Sequence, residues 1–451
     1  MSRWRRTTAP WAWAVAALLV LDTVAVVSHP SRTARRPFVA VGAGQAEGNN
    51  TTPSGPPETV LPSTTLPTKP ANAPAATLAP RPTPAPAARR AIPRPASGAR
   101  TSPGTPAAAP PQTITAAASF QLASLAGLHF ASASVGWISG QQDGKAFIVA
   151  TRDSGASWQA QCIPVGPGTI WQVTAVDPDH VWAFGSDLSR GTAVALWSTD
   201  GGWHWTAGAV PPGIATLVSA AFVDAEHGWA VGTLPGGTNG ADGVIVHTDD
   251  GGRSWTTQPL PAQAAAVLYG VSFADALHGW AAGTALDHTG VVLATADGGS
   301  TWTSQQLPPG VGELHGIDFT NATQGWAVGW DSAGGAPSAG VILATGDGGA
   351  TWARQAHDPD TALWAVSFPD ASDGWVVGQR QDGLGEMLAT RDAGATWQRQ
   401  AAPAPTVVEK ASFADAADGW AGGQQIAVLR TGDGGANWLP IQVVTSGPPC
   451  G

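Results

Sequence analysis

One eight-residue shape recurs seven times between residues 151 and 438, and it limits the folds open to this chain more than any other feature. The copies are TRDSGASW (151–158), STDGGWHW (198–205), TDDGGRSW (248–255), TADGGSTW (295–302), TGDGGATW (345–352), TRDAGATW (390–397) and TGDGGANW (431–438). A second element interleaves with them: a Phe, or Ala in one copy, followed seven positions later by a Trp that usually comes after Gly. Its pairs are Phe130/Trp137, Ala175/Trp182, Phe222/Trp229, Phe273/Trp280, Phe319/Trp326, Phe368/Trp375 and Phe413/Trp420. Asp153 and Asp433 stand 280 residues apart over six intervals, so one repeat takes about 47 residues, within the range of a four-stranded propeller blade.

Within a repeat the strands read directly. LYGVSFAD (268–275), GWAAG (279–283), GVVLAT (290–295) and STWTSQQL (300–307) are short, β-branched or aromatic, and bounded by Gly, Asp or Pro. Four of these in antiparallel order make a blade, and seven repeats predict an all-β fold, a seven-bladed β-propeller over residues 116–451. The eight-residue shape falls between the third and fourth strands, where Gly298 and Gly299 can supply the positive φ of a tight turn. Asp153, Asp200, Asp250, Asp297, Asp347, Asp392 and Asp433 are therefore expected to accept backbone N–H groups across their turns. Each closing Trp is expected to lie between neighbouring sheets. Seven equivalent catalytic acids on one chain make no chemical sense, so these acids read as structural.

The pattern resembles the Asp-box (BNR) repeats of sialidase-type propellers. The longer unit, F-x-D-x-x-x-G-W-x-x-G followed by T-x-D-G-G-x-T-W, is similar to that of the photosystem II stability/assembly-factor type of seven-bladed propeller and its bacterial relatives, over about residues 120–445. That resemblance implies the fold and a partner-binding role. It also implies a basic patch, from which this chain departs: residues 115–451 carry 10 Lys+Arg against 29 Asp+Glu. Such an acidic body argues against nucleic acid as a partner. A sialidase would require an arginine trio and a Tyr–Glu pair; here Tyr269 is the one tyrosine, the F-R-I-P signature is missing, and Arg152, Arg253 and Arg391 fall inside box turns. A two-carboxylate glycoside hydrolase, as among Asp-box xyloglucanases, stays open as the alternative function on an extracellular polysaccharide, because Asp242, Asp331, Asp382, Glu386 and Glu409 could face one cleft. No metal-ligand spacing, phosphate loop or nucleophile elbow occurs, so no metal or cofactor is expected.

Spacing shows which face is free to vary. The stretch from the second-strand Trp to the box Trp runs 21, 23, 26, 22, 26, 22 and 18 residues, while the other intervals hold nearly constant. Variation thus sits in the loop between the second and third strands, on the face opposite the box turns, and loops of this kind carry function. That face offers Trp330, Asp331, Arg380, Asp382 and Glu386 from its longer loops. Four residues before each first-strand Phe position stand Ala126, Trp171, Val218, Tyr269, His315, Trp364 and Glu409, which would ring the mouth of a central channel. Two readings fit Trp171, Tyr269 and Trp364: a ligand-binding rim for peptide or sugar, or packing between blades.

The segment ahead of the repeats is of another kind. Arg3, Arg5 and Arg6 precede an apolar run from Pro10 to Ser28, broken by Asp22 and followed by Arg32, Arg35 and Arg36. Residues 1–36 read as an apolar helix, either a membrane anchor or a cleaved export signal. Residues 37–115 are a Pro/Ala/Thr-rich stretch with too little apolar surface to order, hence a disordered linker. The expectation is a monomeric, exported, non-catalytic scaffold, membrane-anchored or secreted, presenting a propeller face to a protein or glycan at the cell envelope. Cys162 and Cys450 would then lie in the first and last repeats, where a disulfide could fasten the ring. Pairing of residues 119–123 with the last blade is a second way to close it.

Overall fold

The computed structural model describes residues 124–235, 241–261, 267–333, 336–355, 361–401, 403, 407–423, 428–443 and 445–446. The expected anchor and linker, residues 119–123 and Cys450 lie outside the described residues. Among the described residues no helix is long and apolar enough to cross a membrane.

Each repeat folds as one antiparallel sheet with its strands neighbouring in chain order. The fourth blade has an inner strand Val267–Phe273, then Gly279–Thr284, Gly290–Thr295 and an outer strand Thr303–Ser304. The outer strand is shorter than 300–307, because the preceding Trp302 is buried in the blade-to-blade core and only the residues after it pair with Leu293 and Ala294. Inner strands of successive blades pack on one another, including Ser124–Phe130 of the first blade on Lys410–Phe413 of the seventh. Seven four-stranded blades are thus present, as the repeats predict.

A repeated aromatic sandwich fills the seams. Trp280 lies flat on Phe319 of the next blade, with ring centroids 3.5 Å apart, and Trp352 meets the same Phe319 edge-on at 5.9 Å. Equivalent stacks join Trp182 to Phe222, Trp229 to Phe273, Trp326 to Phe368, Trp375 to Phe413 and, closing the circle, Trp420 to Phe130. Across every seam the indole N–H donates to a carbonyl in the next box turn: Trp137 to Gly201 (3.1 Å), Trp280 to Gly348 (2.8 Å), and Trp420 to Ser154 (3.4 Å), for example. These indoles therefore bury their area without leaving a donor unpaired.

Steric fit explains the residue before each Trp. A Cβ at Gly279 would stand 2.2 Å from the Phe273 ring, so only glycine fits beneath it. In the second blade Ala175 takes the Phe position and Val181 the Gly position, and both pack in one cluster with Trp205. The smaller residue makes room for the larger, and the volume of the seam is kept.

Box turns are closed by their own acids. Asp297 Oδ1 accepts from the Thr301 N–H and the Thr295 hydroxyl (2.8 Å each), and Oδ2 accepts from the Thr301 hydroxyl (2.7 Å). Gly298 and Gly299 take φ of 69° and 89°. These donors hold the Asp297 carboxyl below the usual carboxylate range. A second series of acids caps the turn between the first two strands: Asp275 Oδ1 accepts from the Leu277 and His278 N–H groups (2.8 Å each). Gly298 N–H then donates to Leu277 O (2.9 Å), which ties the two turns together at one end of the blade. This second acid is the D of F-x-D, and Asx-turn chemistry alone could have identified it.

The ring closes by a strand outside the repeat. Thr445–Ser446 pairs in parallel with the outer strand of the first blade, Trp158–Ala160, giving that sheet a fifth strand. Cys162 lies just beyond that strand and is disulfide-bonded.

Candidate functional site

Six of the inner strands break register at the same place. In the fourth blade Leu268 pairs with Gly283 and Gly270 with Ala282, so Tyr269 has no partner and forms a β-bulge. Ala126, Trp171, Val218, His315 and Trp364 are skipped in the same way in their blades. In the seventh, Glu409 N–H and the paired residue Lys410 both address Gly422. A bulge takes its side chain out of the alternation of the sheet and re-aims it. The second glycine of G-W-x-x-G makes it possible: a Cβ at Gly329 would stand 1.9 Å from Glu313 O, where the bulged strand folds over. Six of the seven positions expected at the channel mouth are thus set apart from the sheet by backbone geometry.

Three successive blades bring theirs into contact. Tyr269 stacks on His315 (4.3 Å between centroids), and His315 stacks on Trp330 (4.3 Å). Trp364 stands edge-on to both His315 (5.0 Å) and Trp330 (5.2 Å). Trp330 is 3% exposed, while Tyr269, His315 and Trp364 are half-buried. Glu313, two residues ahead of His315, completes the cluster. Its Oε1 lies 3.3 Å from His288 Nδ1, and its Oε2 lies 3.5 Å from His315 Nε2 without forming a hydrogen bond. Burial lowers the pKa of His315, with Glu313 opposing and Lys410 adding to the shift. Burial and then the Glu313 charge raise that of Tyr269. Burial pushes the Glu313 carboxyl up, but the His315 and His288 imidazoles together hold it below its ordinary value.

Known proteins share this frame. The family model described as photosynthesis system II assembly factor YCF48 matches residues 205–311, 256–363 and 355–449, together more than half of the chain. The chain belongs to this assembly-factor family. No curated protein matches it. Among solved structures, YCF48 bound to a D1 peptide is 19% identical, with a TM-score of 0.52 over 69% of this chain and 94% of that one. YCF48 from Cyanidioschyzon merolae is also 19% identical, with a TM-score of 0.52 over 68% of this chain and 95% of that one. The GH74 xyloglucanase from Xanthomonas campestris is 14% identical, with a TM-score of 0.54 over 73% of this chain but 55% of that one. At these identities the likeness speaks for the fold.

The other candidates of this assembly-factor propeller do not join the cluster. Arg354 Nη1 donates to both oxygens of Asp331 (2.7 and 2.8 Å) and its Nη2 to Pro309 O (2.9 Å). Arg380 Nη2 stands 2.9 Å from Asp382 Oδ2. Glu386, expected on the rim, is instead fully buried against Arg399 Nε (2.8 Å), because its strand position faces the sheet interior. Three of the carboxylates that a hydrolase would draw on are therefore bound to arginines of their own blades. Trp171 is half-buried in the second blade, where its indole N–H has no hydrogen bond among the described residues, and Glu409 is half-buried in the seventh. Among the described residues no group of three His, Cys, Asp or Glu is placed to hold a metal. Glu313 and His288 were missed in the sequence; a polar residue ahead of a bulge has no local signature.

Proposed function

We propose that the chain is a non-catalytic binding scaffold that holds a protein partner at the mouth of its propeller channel, outside the cytoplasm. The bulge shared by six inner strands carries the reading: it re-aims side chains that differ from blade to blade, while everything around them repeats. His315 lies between the Tyr269 and Trp330 rings, and the Trp364 N–H beside them has no hydrogen bond among the described residues. Hydrogen-bonding groups set beside aromatic walls suit a peptide, whose backbone and side chains can meet both. Binding of a peptide by the related YCF48 propeller is in keeping with this. A basic, apolar leader and a Pro-rich spacer support an anchored or secreted monomer at the cell envelope, and a disulfide at Cys162 suits an oxidising compartment. Its partner in this reading is Cys450, which would lock the closure that Thr445–Ser446 makes on the first blade.

Co-purification from cross-linked native envelope tests the reading. A protein captured by the native chain and lost with Trp364→Ala and Tyr269→Ala supports it. Capture of a polysaccharide alone, or turnover of one that stops with Glu409→Gln or Asp382→Asn, would replace it with the glycan-binding or hydrolase reading.

A further inference from the structure

The cluster in blades four to six holds three buried polar atoms that make no hydrogen bond among the described residues: the Trp364 indole N–H, and Glu313 Oε2 and His315 Nε2, which face each other at 3.5 Å. Unmet polar groups this close together are costly in a finished core and ordinary in a site built for another molecule. What they would take follows from chemistry already in place. The His315 imidazole, a flat nitrogen heterocycle, sits between the Tyr269 and Trp330 rings with Nε2 aimed at a carboxylate. That is the arrangement by which proteins hold a planar or rounded cation: aromatic walls and an acid behind them.

We infer that this notch binds the cationic side chain, Arg or Lys, of a protein partner, with the cation on Glu313 Oε2 and its stem against Trp364 and Tyr269. The inference rests on the protein-binding reading above. Drawing His315 aside to admit the cation gives up its 3.5 Å approach to Glu313 and its ring contacts, which the cation's full charge on the carboxylate replaces, while His288 stays on Oε1. Charges around the notch favour a cation. Lys410 is offset by Glu409 beside it and Asp331 by Arg354, while Glu313 faces two imidazoles, those of His288 and His315. At longer range the body's 29 acids against 10 bases attract a basic partner.

Calorimetric titration of the full chain with three N-acetylated Gly/Ser heptapeptide amides, identical but for a central arginine, citrulline or glutamate that alone sets the charge, tests this. The arginine peptide should bind at least roughly tenfold tighter than the citrulline one and weaken with added salt. Glu313→Gln should bring it down to the citrulline level, with the melting temperature showing that the variant is folded. Equal binding of arginine and citrulline peptides, no binding of the arginine peptide, or full arginine preference in Glu313→Gln overturns the inference. The peptide comparison needs no variant, so a folding defect cannot hide the answer. Preference for the glutamate peptide would sink the cation site and leave a peptide-binding propeller standing; envelope polysaccharide binding with no peptide bound would end both.

Discussion

The two ends of each blade obey different rules. At the box-turn end, Asp153, Asp200, Asp250, Asp297, Asp347, Asp392 and Asp433 accept the same bonds from the residue four places on, and the tryptophans beside them donate across each seam. At the channel-mouth end the backbone repeats its bulge but the side chains do not: Ala, Trp, Val, Tyr, His, Trp and Glu occupy equivalent places. Repetition marks what the fold requires of every blade. Divergence on a repeated backbone marks what a single surface requires of one.

The largest test of that contrast is at the seam. Trp280→Ala removes a side chain 2% exposed together with its stack and hydrogen bond, and should lower the unfolding free energy by about 3–5 kcal/mol in a denaturant titration. Next, Gly279→Val should cost about 1–3 kcal/mol by driving a methyl group into Phe273. Adding Phe273→Ala should recover part of the loss by rebuilding the Ala175/Val181 solution of the second blade; a double variant worse than the sum of the singles would refute the volume argument.

Linkage to pH sharpens the contrast at the residue just before the Phe position, where blades also differ. Burial takes His129 down to about 4, against the pull of the Ala175 carbonyl 3.0 Å away. The unfolded chain then binds more protons between about 6.5 and 4, so stability falls as pH drops through that window, and His129→Gln should flatten it. Burial takes Asp318 up to about 6, though its Oδ2 accepts from Phe368 N–H (2.8 Å). Here the folded chain binds more protons, so stability falls as pH rises from about 4 to 6. Asp318→Asn should raise the melting temperature at pH 7 and not at pH 4. Lower still, hydrogen bonds to His204 and Ser198 outweigh burial and hold Asp200 at about 2. The stability it adds is complete above about pH 4 and lost as pH falls through 2; Asp200→Asn should remove that dependence from a melting series. At the channel mouth the readout is binding and not the fold: Glu313→Gln should change arginine-peptide affinity most, with the melting temperature reporting that the variant is folded.

Much of this was legible in advance for a physical reason. Box turns, Asx caps and strand lengths are made by residues a few places apart, so their chemistry is written locally and a sevenfold recurrence shows it seven times. Trp171, Tyr269, His315, Trp364 and Glu409 could be placed at equivalent registers for the same reason. The sequence by itself determined the blade, the number of blades, and which end would be uniform. Only the tertiary structure decided that His315 joins Tyr269, Trp330 and Trp364, that Glu313 stands behind them, that Arg354, Arg380 and Arg399 hold Asp331, Asp382 and Glu386, and that Thr445–Ser446 closes the ring. Those contacts join residues from different strands and blades, and their energy depends on distance in space, which the order of residues along a chain does not carry.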